Sequence, residues 1–389
     1  MSTIVEIFEK FGINLNNGEE TFNSFSVDPR RFQSNLIQFI QKSPENPKWE
    51  KNYETIWKIL ESYLDNETNF AVSLLPSKNV SSQHTHSSNQ DSLLKILLEI
   101  SDLQSDLFDY LVSKILNYLE TSDTNSDIQI LGLQINIPSY IVSQFRYQPR
   151  INNPQALCQK LIELINSTTN SAIKKEIIAC FPDILCDSQH DGLVSDLELL
   201  LDEIELISPT LDTLSNLSFK KENLLGITRT VLLKFPLLGE KDLPSSLKFI
   251  LKASIILNDK DVFNDLRSKL KLDELADDSV RHVVYDIFRE NFQVSNQLVE
   301  LYSTCIQYNT LAFVNNLILP FDFLVVTLSY SIAQYSKSID KFFKAAIKQE
   351  TIRNVEKSSL IFIKFCSNFS QEVLDPIEKM SKSLIQNPP

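Results

Sequence analysis

Glycine is scarce in this chain: six among 389 residues, Gly12, Gly18, Gly132, Gly192, Gly226 and Gly239, where an average chain holds about 7%. No glycine follows Gly239. A phosphate-cradling loop, a dinucleotide-binding turn and a nucleophile elbow each need closely spaced glycines, because the backbone must approach a ligand or turn with positive φ. None of these is present, and tight-turned β architectures are disfavoured for the same reason. Histidine is almost as rare, with only His84, His86, His190 and His282. Too few remain to compose a Ser/His/Asp or Cys/His arrangement, and the carboxylates at Asp196, Glu198, Asp202, Glu203 and Glu205 accompany no base. The reading is a non-enzyme without cofactor or metal.

Basic residues are outnumbered, 37 against 50 acidic, for a formal charge of −13. A general attraction to nucleic acid or anionic membrane is not expected, so any phosphate contact must use a local patch. Five cysteines, Cys158, Cys180, Cys186, Cys305 and Cys366, form an odd, unpatterned set and read as reduced thiols of an intracellular protein. Cys180, Cys186 and His190 are near one another, but their spacing is not that of short zinc-binding pairs, and Cys180 lies in the apolar run IIACF of a core. The amino terminus has no basic segment followed by an apolar one, hence no secretory signal. The apolar stretch 311–328 is interrupted by Asn315, Asn316, Pro320 and Asp322, which favours two core helices over a membrane span. No membrane contact is expected.

Helical periodicity fills the space that these absences leave. Phe108, Leu111, Val112, Ile115, Leu116 and Leu119 lie on one apolar face; Leu193, Leu197, Leu200, Leu201 and Ile204 repeat the pattern. Ser208-Pro209, Asp242-Leu243-Pro244 and Asn136-Ile137-Pro138 read as helix starts, Phe181-Pro182 and Asp375-Pro376 as breaks. Pro138, Pro182, Pro209 and Pro244 recur at an irregular spacing compatible with helical-pair repeats. The expected fold is all-α, an irregular armadillo/HEAT-like α-solenoid. Residues 1–75 form an N-terminal helical segment, 76–92 a Ser-rich surface loop, and 93–389 the solenoid repeats without a sharp boundary. Residues 120–129 read as a second, shorter polar loop.

Two features carry candidate functions. Lys337, Lys341, Lys344 and Lys348 are spaced to share one helix face, a cationic strip suited to DNA-backbone contact; the bland alternative is a solvated face opposite Phe343 and Ile347. Four Ser-Gln dipeptides begin at Ser82, Ser143, Ser188 and Ser370. Ser188, in the polar turn DSQHDG, is the candidate phosphorylation site, where a phosphate would precede a helix expected to start around Leu193. Alternatively, Asp187 or Ser188 simply caps that helix.

The blocks LESYLDNETNF, INIPSYIVSQF, FPDILCDSQHD, LDTLSNL, KDLPSSLKFIL and NDLRSKLKL, in this order, resemble the N-terminal region of the Fanconi anaemia group D2 family. Weaker similarity continues through FDFLVVTLSYS and SIDKFFKAAIK. The resemblance implies a nuclear α-solenoid scaffold of DNA interstrand crosslink repair. It would pair as a heterodimer with the group I paralogue around double-stranded DNA and be monoubiquitinated there. It also implies that Ser188 is the target of a damage-checkpoint kinase. The family's acceptor lysine lies in a Lys-Leu-Ile-Gly type segment without counterpart here, so the ubiquitin acceptor is expected outside this chain, which reads as a fragment or short form. Ile115-Leu116 replace a Leu-Pro pair of the family's ubiquitin-binding stretch, and no basic import tail is present. The alternative function is a helical-repeat protein–protein adaptor that does not bind DNA.

Overall fold

A computed structural model describes residues 2–15, 21–42, 46–79, 91–121, 127–270, 278–295, 297–298 and 301. The chain divides into two compact units, residues 1–189 and 190–389. Among the described residues, helices dominate both.

In the first unit the helices are α1 (Ser2–Phe11), α2 (Pro29–Ile40), α3 (Trp49–Leu64), α4 (Glu67–Leu74), α5 (Leu93–Leu98), α6 (Ser101–Thr121), α7 (Ile137–Arg146), α8 (Pro154–Ser167) and α9 (Ser171–Ile184). Their starts explain the wealth of asparagine. Asn66, Asn136, Asn153 and Asn170 each accept backbone N–H groups of the following first turn, satisfying donors that a helix end leaves open. Helices pack mainly on near neighbours in sequence: α6 on α7 and α8, α7 on α9, α8 on α9. Phe108 of α6 meets Phe145 of α7 edge to face at 5.5 Å, and Arg146 of α7 binds Asp183 of α9 at 2.6 Å. Buried Gln104 ties the loop after α7 in place: its amide donates to the carbonyls of Leu98 and Arg150, and its oxygen accepts from Asn152 N.

The second unit holds α10 (Val194–Leu200), α11 (Ile207–Asn216), α12 (Lys221–Lys234), α13 (Leu243–Leu257), α14 (Lys260–Lys269) and α15 (Asp278–Val294). Here α13 is apolar on nearly every face, with Leu247, Phe249, Ile250, Leu251 and Ala253 buried, and it packs on α11, α12, α14 and α15. Asn258 ends α13 in the left-handed region, φ 52°, the place that glycine usually fills at a helix end. Helix-on-neighbour packing in both units is that of an all-α helical repeat, as the periodicity predicts.

Several local expectations are corrected. Residues 127–129, read as loop, open a strand: β4 (Asp127–Ile130) pairs antiparallel with β5 (Leu133–Asn136), and Leu131 and Gly132 both take positive φ in the turn. Three further two-residue strands, β1 (Ile13–Asn14), β2 (Ser24–Phe25) and β3 (Lys78–Asn79), form a small sheet in the order β1-β2-β3. Pro182 does not break a helix but lies inside the last turn of α9: its missing N–H forgoes the bond to the carbonyl of residue 178, while Leu185 N still donates to Phe181 O. Helix α11 starts at Ile207, with Leu206 in the capping position, so Ser208 is already helical. Its hydroxyl meets that of Ser245 at 2.8 Å. Ile204 belongs to a 3₁₀ turn after α10 and is 71% exposed, because the regular helix stops at Leu200.

Residues 80–90 of the Ser-rich loop lie outside the described residues; its flanks are joined by a bridge between Pro76 and Ser92. The apolar stretch 311–328 is also outside them. Among the described residues no helix is long and apolar enough to cross a membrane.

Candidate functional site

The four Ser-Gln serines separate clearly. Ser82 and Ser370 lie outside the described residues. Ser143 is half-buried inside α7, its hydroxyl donating to Ser139 O at 3.0 Å. Ser188 is exposed in a 3₁₀ turn, Asp187–Leu193.

This turn follows from its sequence. Leu185 is extended and stops α9, and Gln189 N then donates to Cys186 O at 2.8 Å, closing a 3₁₀ ring. The Gln189 side chain accepts from Cys186 N at 3.4 Å. The Ser188 hydroxyl is 3.4 Å from Cys186 Sγ.

The other end of the motif is structural. His190 is buried, and its Nδ1 accepts the backbone N–H of Ser218 at 2.8 Å. Asp191 Oδ1 accepts from Lys220 N at 3.0 Å and from the Asn223 amide at 2.8 Å, and Oδ2 is 3.6 Å from Lys220 Nζ. The Lys220 N–H, followed by the Asn223 amide, holds the Asp191 carboxyl below the usual carboxylate range. Both residues clasp the segment that launches α12. Neither Asp187 nor Ser188 caps the next helix: α10 starts at Val194 with Leu193 in the capping position.

The residues that could suggest zinc are not brought together. Cys180 is buried in α9 with its thiol on Ile177 O, Cys186 is exposed, and His190 faces Ser218. Burial pushes the Cys180 thiol up, and that of Cys158 up to about 12, as expected of core cysteines. Among the described residues no group of three or more His, Cys, Asp or Glu side chains is placed to hold a metal. The carboxylates after Leu193 have local partners: Glu198 accepts from Thr230 at 3.1 Å, and Asp202 pairs with Lys234. Ile115 is buried in α6 and Leu116 half-buried. Lys337, Lys341, Lys344 and Lys348 lie outside the described residues.

One surface is hidden in the sequence. Leu199, Leu233 and Leu237 look like core residues within LELLLDE and TVLLKFPLL, yet they are 67%, 73% and 85% exposed. Runs of leucine conceal which members face water, since a short helix places them all round its axis.

Residues 1–296 match the family described as "Fanconi anaemia protein FancD2 nuclease". Curated relatives include the Fanconi anemia group D2 protein homolog of Rattus norvegicus, 29% identical over 274 residues. The Fanconi anemia group D2 protein of Gallus gallus is 30% identical over 272 residues. These alignments cover 70% and 69% of the chain but 18% of each relative.

Proposed function

The chain belongs to the Fanconi anaemia group D2 family, and on that premise we propose that it is the N-terminal part of a nuclear DNA-repair scaffold. It acts in interstrand crosslink repair by pairing with a group I-like paralogue on double-stranded DNA. The family match over residues 1–296 carries this reading. The helical-repeat architecture supports it, since such arrays supply extended surfaces for partners. Ser188 is the phosphate acceptor for a damage-checkpoint kinase, supported by its exposure and by the half-burial of Ser143. Lys337, Lys341, Lys344 and Lys348 supply the DNA-backbone contact; their spacing supports this, and they lie beyond the family match.

We read the chain as a non-catalytic member, although the family description includes the word nuclease. The engagement of Glu198 by Thr230 and of Asp202 by Lys234 supports this, because metal-dependent phosphodiester cleavage requires carboxylates converging on the ion.

Size-exclusion chromatography of the chain with the group I paralogue, with and without duplex DNA, tests the assignment. Co-elution is expected. Separate elution of a chain that is folded by circular dichroism would remove the clamp reading and leave the protein–protein adaptor. Reversing the four lysines to Glu should abolish salt-sensitive duplex binding, and undiminished binding would reject the stripe. Ser188→Ala should lower phosphate incorporation by such a kinase, with peptide mass mapping placing the lost phosphate on the segment that holds Ser188. Cleavage of duplex or flapped DNA with magnesium or manganese would overturn the non-catalytic reading.

A further inference from the structure

We infer that the α10/α12 face of the second unit is a docking surface for a basic amphipathic helix of another protein. The order of the contacts between them makes the two segments run parallel. Glu198 reaches Thr230 and Asp202 reaches Lys234, so equal four-residue steps on each chain segment keep the contacts in register. A residue advances about 100° around a helix axis. Leu199 follows the contact residue Glu198 by one position, and Leu233 precedes the contact residue Lys234 by one. On two parallel helices facing each other, these opposite rotations bring both side chains out on the same side of the seam. Leu237 lies four residues beyond Leu233, in the 3₁₀ turn Phe235–Leu237 that follows α12, and Ile204 lies in the 3₁₀ turn that follows α10. All four are strongly exposed, at 67%, 73%, 85% and 71% for Leu199, Leu233, Leu237 and Ile204.

Isolated exposed leucines are ordinary, but Leu199 and Leu233 on one side of a helix pair, continued by Ile204 and Leu237 in the 3₁₀ turns that follow each helix, match the requirements of helix-in-groove recognition. Charge selects the occupant. From Val194 to Glu205 the chain carries five carboxylates and no basic residue; Asp202 is answered by Lys234, and Glu203 and Glu205 are exposed and flank Ile204 in sequence. A second copy of this chain would bring like charges together across a two-fold axis, which opposes self-pairing. A helix with leucine-type anchors flanked by Lys or Arg would bury the apolar side chains and answer the acidic rim.

The probe is a labelled leucine–lysine peptide of about 18 residues with its leucines at i, i+3, i+4 and i+7, titrated against the full chain. Its control has the same composition with the leucines scrambled. The amphipathic peptide should bind at micromolar concentration, the scrambled one at least about tenfold more weakly. Leu199→Ser with Leu233→Ser, and separately Leu237→Ser, should weaken binding, the double variant by about tenfold or more. Leu133→Ser, a change at an exposed leucine of the first unit, should leave it unaltered. Glu203→Lys with Glu205→Lys should weaken binding and reduce its salt dependence. The replaced leucines are exposed, and unchanged circular-dichroism melts would confirm that each variant folds. Absence of binding, equal binding of the scrambled peptide, or indifference to the leucine changes would overturn the proposal. So would a sedimenting dimer of the wild type that Leu199→Ser with Leu233→Ser dissociates, which would assign the face to a second copy.

Discussion

His190 accepts the backbone N–H of Ser218 through Nδ1 at 2.8 Å, so a residue 28 positions earlier in sequence fixes the loop that leads into α12. The imidazole is buried, and its removal both opens space and releases that N–H. His190→Ala should destabilise the protein by about 1–3 kcal/mol. Thermal melts read the loss, and amide exchange should accelerate at Ser218 while remaining slow at Ile177 in the core of the first unit. Unaltered exchange at Ser218 would show that the bond does not hold the loop.

Asp191 predicts an acid dependence of known sign. Its folded-state value is lowered, chiefly by the Lys220 N–H. A lowered carboxyl contributes stability that is complete above its unfolded value, about 3.9, and disappears as pH falls through the folded one. Asp191→Asn should therefore be less stable than the wild type at pH 7, with the two converging in acid below about pH 4. Urea midpoints measured from pH 7 to pH 2 would show this, and a constant difference across the range would refute it.

The β4–β5 turn contains avoidable strain. Leu131 has φ 56°, a region that suits Asn or Gly but crowds a branched side chain. Leu131→Asn should stabilise the hairpin by about 1 kcal/mol, read as a higher melting temperature. Gly132, at φ +74°, should tolerate no such exchange for alanine.

Thiol labelling should be strongly ordered. Cys186 is exposed, whereas Cys158 and Cys180 are buried and their thiols are pushed up by burial. Iodoacetamide at pH 8 should modify Cys186 in the native protein and reach Cys158 and Cys180 only after denaturation, as resolved by peptide mass mapping. Rapid native labelling of Cys180 would contradict the packing of α9.

These particulars show which parts of the molecule its sequence reveals. The apolar stripe of α6 was legible because helical spacing reports on burial: Phe108, Leu111 and Ile115 are buried, and Val112, Leu116 and Leu119 are half-buried. Asn136-Ile137-Pro138 was legible as a start because Asn136 accepts from Ser139 N. The hairpin was not, since its turn uses Leu131-Gly132 in place of the usual Asn-Gly signal. Likewise, Ser208-Pro209 has the composition of a cap, but tertiary packing starts α11 before it. At the candidate site, the polarity of DSQHDG announced the exposure of Ser188. It could not announce the burial of His190, because the backbone that His190 binds is distant in sequence and no local pattern encodes a long-range partner.

The 3₁₀ turn that presents Ser188 has a kinetic consequence. An enzyme that modifies or cuts a peptide generally grips it as an extended strand, and residues 187–193 are not extended. Access therefore requires the ring between Cys186 and Gln189 to open, while His190 and Asp191 keep the downstream end tethered to the segment 218–223. For an enzyme acting on Ser188, the rate would be a clock for local opening. Loosening the tether at His190 should make that clock run faster, even though the hydroxyl itself is already at the surface.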